Sequence, residues 1–304
     1  MSQDVVASIP SPAKFGAVGY LAMLATVLAW SAWTVITSHA IKTSMTAYDL
    51  ALFRYGIPAL VLAPVAWRKG LKAGAMGWTG TLLMALGAGL PFQILIGMGM
   101  KWSPAANAGA MLSGTMPMFA AILSAIFLGE RFTAVRVSGF LLILAGVGLL
   151  GLFSALAGAH EQWHGYLLLM CAALNWAVYT VTMKRAGVEA LHATAIVSTV
   201  SIAIDAVALA LGAPSRISAA SVGEIGLQVL AQGLLAGLVG MTLFAYGVRR
   251  LGASRAAAFI SLIPGVVALM AIPMIGESVS LEAMAGIALV SFGVALASGA
   301  FARS

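Results

Sequence analysis

The sequence predicts an all-α integral membrane protein with ten transmembrane helices, arranged as two inverted five-helix repeats with both termini in the cytoplasm. Three observations predict this fold class: the composition, a succession of long apolar runs and an internal repeat. Hydrophobic residues make up 62% of the 304 residues and charged residues only 8%, whereas about a quarter of the residues in soluble domains are charged. The chain is therefore predicted to lie mostly in a lipid bilayer, with no sizeable soluble domain.

Ten apolar runs are long enough to cross a hydrocarbon core about 30 Å thick, which takes roughly 20 residues of helix. In lipid, backbone N–H and C=O groups must form their hydrogen bonds within a helix or a closed barrel. These runs lack the alternation of barrel strands, so each is predicted to be a helix. The runs are 18–40, 46–67, 76–99, 104–128, 135–156, 164–183, 191–211, 224–247, 253–275 and 281–301. Residues 1–13 are polar and are predicted to form an N-terminal tail.

The positive charges predict the orientation, because Lys and Arg favour cytoplasmic connectors. With the N-terminus inside, twelve of the sixteen Lys and Arg residues fall on the inner side and only Lys42, Lys101 and Arg216 on the outer side. Both termini are thus predicted in the cytoplasm of a bacterial-type cell, and the protein in its inner membrane. Because the cations are scattered rather than gathered in a patch, the net charge of +7 does not indicate a nucleic-acid partner.

The two halves of the chain resemble each other. A shift of 146 positions superimposes Trp30 on Trp176 and Trp33 on Tyr179. A shift of 147 superimposes further pairs: Pro117 on Pro264, Gly129 on Gly276, Glu130 on Glu277, Thr133 on Ser280, Gly139 on Gly286 and Gly146 on Gly293. The predicted repeats are residues 14–157 and 160–304.

Five helices per repeat force the second copy to enter the membrane from the opposite face. Inverted repeats are typical of secondary transporters, in which the two halves exchange conformations around one midplane site. The alternative is that duplication only enlarged a stable bundle. Since one chain already holds both copies, the repeat is compatible with a working monomer.

A family resemblance is carried by Pro104 to Gly146 with its Leu128-Gly129-Glu130-Arg131 turn, by the second copy of that segment, and by Phe53-Arg54-Tyr55. These residues are similar to those of the drug/metabolite transporter superfamily, specifically its EamA-type ten-helix members. The resemblance implies a central cavity surrounded by helices 1–4 and 6–9, with helices 5 and 10 peripheral. It also implies export of amino acids or related metabolites. The second copy departs from the pattern where Ser278 replaces Arg131.

Aromatic and amide side chains near the midplane are the candidates for a substrate cavity, because Trp and Tyr usually prefer the membrane interface. Ordinary core packing with satisfied NH and OH groups is the alternative. The candidates are Trp30, Trp33, Gln93, Asn175, Trp176 and Tyr179.

Two ionisable residues fall within predicted spans, Arg54 in helix 2 and Asp205 in helix 7. A charge at the membrane centre costs on the order of 3 kcal/mol on insertion scales, so each is expected to face protein or water. They could pair with each other, Arg54 could line a gate, or Asp205 could carry a coupling proton.

Small residues at four-residue spacing in helices 4 and 9 predict close helix packing, and a mid-span proline in each predicts a bend, either static or hinged. The candidates for these roles are Gly114, Pro117, Ser261 and Pro264, together with Ala106 and Ala110 in helix 4 and Ala253, Ala257 and Gly265 in helix 9. Glu130 and Glu277 are expected to close these helices, with Thr133 and Ser280 as the next N-caps.

Several activities are disfavoured by the sequence. A GxxxxGK[ST] phosphate-binding motif is missing from the printed sequence, so an ATP-driven pump in this chain is not expected. The four histidines lie at helix ends and Cys171 stands alone, so neither a metal site nor a cofactor is predicted.

The predicted function is that of a secondary transporter of a small-molecule solute, most simply an amino-acid exporter. The alternatives are an integral membrane enzyme acting on lipid-like substrates, a transporter of another small-solute class, or a channel. An enzyme would need a cluster of titratable groups and a channel an ion filter, neither of which is recognisable in the sequence.

Overall fold

The computed structural model describes residues 12–299, without the side chains of residues 12–16, 253 and 254. Its elements are helices joined by short turns. The first half holds α1 (Pro12–Thr43), α2 (Ala47–Val61), α3 (Ala63–Lys69), α4 (Gly77–Ala88), α5 (Leu90–Trp102), α6 (Ala105–Leu128) and α7 (Ala134–Leu156). The second holds α8 (Gln162–Ala186), α9 (Ala190–Ala210), α10 (Val222–Gln228), a π-helical segment (Val229–Val239), α11 (Gly240–Leu251), α12 (Ala253–Ile260), α13 (Ile263–Ile275) and α14 (Leu281–Ala297).

Eight apolar helical stretches within residues 12–299 are long enough to cross a membrane. Helices α2 and α3 together make a ninth if their 62° bend is counted within one span. The bend falls at Leu62, and Pro64 follows at the start of α3, where it cannot donate a backbone hydrogen bond. Helix α14 is a shorter apolar helix. The protein is thus an all-helical, multi-pass membrane protein. The predicted tail lies outside the described residues except for positions 12 and 13, which open α1.

Local signals start and stop the helices where the sequence suggests. Thr133 accepts a hydrogen bond from the Arg136 amide and Ser280 from the Ala283 amide, so both predicted N-caps are confirmed. Gly129 and Gly276, at equivalent places in the two repeats, end their helices with φ of 71° and 67°. Only glycine adopts this left-handed conformation without steric cost.

The connectors meet at two opposite ends of the bundle. At the end termed the basic end, Lys69 Nζ lies 2.7 Å from the Glu189 carboxylate, and His192 Nε2 donates to Gly70 O at 2.9 Å. The hydrogen bond from Lys69 and its charge lower the pKa of the Glu189 carboxyl. The Gly70 and Ala186 connectors therefore lie on the same side of the bundle.

At the other end, termed the distal end, hydrogen bonds join the remaining connectors. Lys42 Nζ donates to Ser103 O at 2.8 Å, and Thr46 Oγ1 donates to Pro214 O at 2.8 Å. The backbone amide of Ala105 donates to the Glu277 carboxylate at 2.8 Å. Contacts from both halves of the chain thus hold each end together.

Helices α7 and α14, which end the two halves, cross through glycines. A Cβ on Gly139 would lie 2.7 Å from Gly293 O, and one on Gly146 would lie 2.7 Å from Gly286 O. Since Gly139 corresponds to Gly286 and Gly146 to Gly293 in the repeat, each glycine packs on the equivalent of the other. This close approach is where dispersion and weak hydrogen bonds hold helices together in lipid.

We predict that Gly146→Ala lowers the free energy of unfolding by about 1–3 kcal/mol, the usual cost of overpacking, because the added methyl group would meet backbone atoms of α14. Gly148→Ala is the matched control: it lies in the same helix with no atom within 4 Å of its Cβ position. There the better helix propensity of alanine should be neutral or stabilising. Unfolding in lipid bicelles measures both variants. Equal stability of the two variants would contradict this packing.

Candidate functional site

A chain of buried side chains fixes the indole of Trp33 in the middle of the bundle. Trp33 Nε1 donates to Gln232 Oε1 at 2.7 Å. The Gln232 amide nitrogen in turn donates to Thr37 Oγ1 at 2.8 Å and to Gln228 Oε1 at 3.3 Å. Gln232 is fully buried, so these bonds satisfy an amide that would otherwise be costly at this depth. It lies in the π-helical segment, a form of helix that is frequent at functional sites.

The guanidinium of Arg54 lies on the indole that this network fixes. Its central carbon is 4.7 Å from the centroid of the Trp33 ring and 5.7 Å from that of Phe92. Such cation–π contacts stabilise a cation by about 0.5–2 kcal/mol, more when desolvated. Arg54 Nη1 is buried and has no hydrogen-bond partner among the described protein atoms. The cation is therefore held in place by aromatic rings, while part of its donor capacity stays unused.

A cavity of about 60 Å³ opens beside Arg54. Its walls include Tyr55 from α2, Trp176 and Tyr179 from α8, and Val197 from α9. The cavity lies near the middle of the bundle, because lining residues such as Ala88 and Gly237 fall halfway along their spans. Both halves of the chain thus line one chamber that combines a cation with aromatic walls.

A break between α4 and α5 lies next to this cavity. Tyr55 donates its hydroxyl toward Ala88 O at 3.0 Å and Gly89 O at 2.7 Å, and Pro91 follows in the first turn of α5. A Cβ on Gly89 would lie 2.2 Å from Ser201 Oγ. The tyrosine therefore supplies a donor to carbonyls at an interruption of the helix, as irregular backbone at membrane depth requires.

Arg54 and Asp205, the two intramembrane charges, do not pair. Within the described residues, both carboxylate oxygens of Asp205 and Nη1 of Arg54 lack a hydrogen-bond partner. The Asp205 side chain is fully buried and lies within electrostatic range of Asp49 and Tyr55. Asp49 itself is satisfied by the backbone amides of Thr46 and Arg216. Asp205 is thus the buried carboxyl without protein donors.

The other cavity candidates are distributed around this centre. Trp176 packs between Phe92 and Tyr179 in tilted arrangements, with ring centroids 5.3 and 5.2 Å apart. Gln93 is fully buried, and neither of its amide atoms has a partner in the described part of the chain. Trp30 packs against Phe244 at 5.5 Å, and the Asn175 amide donates to Leu86 O at 3.3 Å. Of the six candidates, Trp176 and Tyr179 line the Arg54 cavity, whereas Trp30, Trp33, Gln93 and Asn175 do not.

The hinge and packing candidates differ between the repeats. Pro117 lies inside the continuous helix α6, whereas Pro264 begins α13 after the chain has interrupted the equivalent helix at Ser261 and Leu262. A Cβ on Gly114 would meet Val290 Cγ1 at 2.6 Å, which places Gly114 against α14. Contact between α6 and α13 occurs instead where Gly109 faces Val267 at 3.0 Å.

A second cavity of about 430 Å³ lies at the distal end. Near it, the hydroxyl of Tyr166 accepts from the Asn107 amide at 2.7 Å and donates to Gln162 Oε1 at 2.8 Å. Glu277 lines the same cavity and accepts from the backbone amides of Ala105 and Ala106 at 2.8 and 3.0 Å. The carboxylate thus caps the positive end of α6.

Comparison with known proteins decides the family. The profile of the EamA-like transporter family matches residues 17–152 and again residues 163–299. The chain belongs to the EamA-like transporter family. The resemblance to the drug/metabolite transporter superfamily is thereby confirmed, and the chain is a transporter of small molecules rather than an enzyme.

Individual relatives match along most of the chain at modest identity. A probable terminal-alkyne amino-acid exporter of Streptantibioticus cattleyicolor is 25% identical over 285 residues, which cover 90% of this chain and 91% of the relative. The uncharacterized transporter YyaM of Bacillus subtilis is 24% identical over 290 residues, covering 90% and 92%. The aromatic amino acid exporter YddG of Ancylobacter novellus is 29% identical over 161 residues, covering 52% and 55%.

A protein of known crystal structure shares the fold of this EamA-like chain. The match has a TM-score of 0.60 and 23% identity, and covers 94% of this chain and 96% of the other.

Sequence reasoning missed the glutamines that position Trp33. Gln232 and Gln228 lie within an apolar run, four residues apart, and a buried amide pair on one helix face would have been the only signal. Asn107 and Tyr166 were missed for the same reason. Their partners are far away in the sequence, so the pattern around each residue does not indicate the contact.

We predict that Trp33 and Gln232 are energetically coupled. In a double-mutant cycle of Trp33→Phe and Gln232→Leu, the coupling free energy should be about 0.6–1.7 kcal/mol, as found for hydrogen bonds between transmembrane helices. Unfolding in bicelles gives the values. The control cycle pairs Trp33→Phe with Ser154→Ala, which lies near the distal cavity and should be additive within about 0.5 kcal/mol. Additivity in both cycles would rule out the proposed positioning of Trp33.

Proposed function

We propose that this EamA-like protein is a secondary transporter that exports amino acids or related small metabolites across a bacterial inner membrane by alternating access. The observation that carries the proposal is the chamber between the two family-matched halves, in which Arg54 meets the aromatic walls formed by Trp176 and Tyr179. A cation next to aromatic rings suits a small solute with one charged end and one apolar part. The relatives named as amino-acid exporters support the same substrate class.

The proposed topology has ten spans in two inverted repeats, residues 14–157 and 160–304, with both termini cytoplasmic. Within it, the bent pair α2–α3 is the second span and α14 the tenth. The two family matches support the repeat. The excess of Lys and Arg in the connectors of the basic end supports a cytoplasmic position for that end. The Arg54 cavity then lies near the middle of the membrane, where transporters with inverted repeats bind their substrates.

Alternating access is supported by an asymmetry between repeat-equivalent residues. Glu277 caps the N-terminus of α6 at the distal end, whereas its equivalent Glu130 pairs with Lys184. A transporter with inverted repeats needs equivalent contacts to be made at one end and broken at the other. Closing the distal end through Glu277 fits a state in which the chamber faces the cytoplasm.

In this proposal a proton gradient supplies the energy for transport, and Asp205 is the candidate proton carrier. Its buried carboxylate has no donor among the described protein atoms, which makes the charged form costly in a low-dielectric site. A carboxyl group that can bind and release a proton during the cycle could couple solute export to proton entry.

We predict selective efflux of amino acids from proteoliposomes that contain the protein. Vesicles loaded with an equimolar amino-acid mixture should lose a subset of its members over time, with apolar and aromatic ones foremost because of the aromatic walls. Mass spectrometry of the retained solutes measures this loss. Trp176→Ala should slow the efflux, whereas Trp163→Ala, an exposed residue of the same helix, should not. Retention of every amino acid, alongside flux of an unrelated compound, would refute the substrate class.

The same vesicles test whether solute efflux is coupled to proton entry. An acidic exterior should accelerate efflux by the wild-type protein, and Asp205→Asn should remove this acceleration while leaving exchange of solute for solute. If the rate of efflux by the wild-type protein does not depend on the pH gradient, the protein is a uniporter and Asp205 is not a proton carrier.

A further inference from the structure

We propose that Arg54 binds the carboxylate group of the transported solute, while the apolar part of the solute lies against Trp176 and Tyr179. This inference rests on the proposed function, because it names the chemical group by which the transporter recognises its substrate. It assigns the orientation of the solute in the chamber and makes a free carboxylate a condition for efficient transport.

The guanidinium is rigidly positioned from one side. Trp33 and Phe92 lie under it at 4.7 and 5.7 Å, and Trp33 is itself fixed by its hydrogen bond to Gln232. These contacts hold the planar group without using its N–H donors, since ring faces interact with the cation as a whole. Tyr55 is a hydrogen-bonding neighbour of the guanidinium, but Nη1 has no partner among the described protein atoms, so the group keeps donor capacity for a ligand in the cavity.

The described residues supply no anion that pairs with Arg54. Two ion pairs of the described residues, Lys69 with Glu189 and Lys184 with Glu130, lie at the basic end of the bundle and do not involve Arg54. Asp205, the buried carboxyl on the neighbouring helix, is not hydrogen-bonded to the guanidinium. An unneutralised charge at this depth costs several kcal/mol. An anionic solute would offset part of that cost each time it binds.

The lining of the chamber favours a monoanion with an apolar body. Among the described residues that line it, Arg54 is the one charged side chain, and aromatic and aliphatic groups form most of the remainder. A single guanidinium matches a carboxylate through two parallel hydrogen bonds. Phosphate groups carry more charge and are usually met by several cations or by a helix N-terminus.

The test compares phenylalanine with phenylalaninamide, which replaces the carboxylate by a neutral amide of similar size. Proteoliposomes loaded with both should lose phenylalanine at least tenfold faster. In Arg54→Gln this preference should fall by about ten- to a hundredfold, as expected from hydrogen bonds to a charged group worth about 1.5–3 kcal/mol. In Arg54→Lys it should fall less, because lysine keeps the charge but loses the fork geometry.

Arg136→Gln is the matched control. The Arg136 guanidinium also lies over two aromatic rings, Phe132 at 5.5 Å and Phe140 at 5.9 Å, but it does not line the chamber. Its substitution should leave the preference for phenylalanine unchanged. A matching loss of preference in this variant would mean that the effect is not specific to the chamber, and would overturn the assignment.

A measurement on the wild-type protein alone covers the case in which an Arg54 variant fails to fold. Phenylalanine added in excess inside the vesicles should slow the efflux of a labelled amino acid, and phenylalaninamide should not. Equal competition by the two compounds would show that Arg54 does not bind the carboxylate. The same conclusion would follow if Arg54→Gln slowed the efflux of both compounds without changing the ratio of their efflux rates. Either of these results would overturn the inference about Arg54 but leave amino-acid export supported. A wild-type protein that transports no amino acid would refute both the proposed function and this inference.

Discussion

A single cation at membrane depth organises the centre of this transporter. Arg54 lies within the second predicted span, where a charge is costly unless it faces protein or water, so the residues around it must accommodate the cation. Trp33 and Phe92 do so through their ring faces, and the Trp33 ring is fixed in turn by Gln232, Thr37 and Gln228. The widened helical turns around Gln232 bring its amide to this position. The aromatic walls adjoin the same group, and its neighbour Tyr55 reaches the helix break at Gly89.

The two halves of the chain keep their internal symmetry in some places and break it in others. It is kept where α7 and α14 cross, because Gly139 and Gly146 pack on the repeat equivalents of each other. It is broken at Glu277 and Glu130, which have different partners, and at the two prolines, of which only Pro264 follows an interrupted helix. Close packing where α7 and α14 cross, together with unequal contacts at the two ends of the bundle, is the arrangement that the proposed rocking of one half against the other requires.

Much of the fold could be predicted from the sequence, because the signals for it are local. Long apolar runs, the N-caps at Thr133 and Ser280, and the glycine ends at Gly129 and Gly276 each depend on a few neighbouring residues. Trp176 could be proposed for the cavity because its depth in the helix is unusual for tryptophan. The bend at Leu62 was missed, since hydropathy is insensitive to a change of helix direction.

The contacts that build the site could not be predicted, because they join residues far apart in the chain. Trp33 and Gln232 are 199 positions apart, and nothing around either residue specifies the other. The same holds for Arg54: its presence in a span predicts that it faces protein or water, but its partners on α1 and α5 follow only from the packing of helices. Whether Arg54 and Asp205 pair was left open for this reason, and the structure separates them.

The most direct test of the account is a measurement of both ends of the bundle in the same protein. Spin labels at Leu191 and Arg249 report the width of the basic end, and labels at Lys101 and Ser278 report that of the distal end. When phenylalanine is added to the protein in lipid, the distance between the labels at the basic end should shorten and that at the distal end should lengthen. The fraction of molecules that changes distance should be the same at both ends. Two ends that widen together, or that stay fixed while the solute is transported, would contradict alternating access.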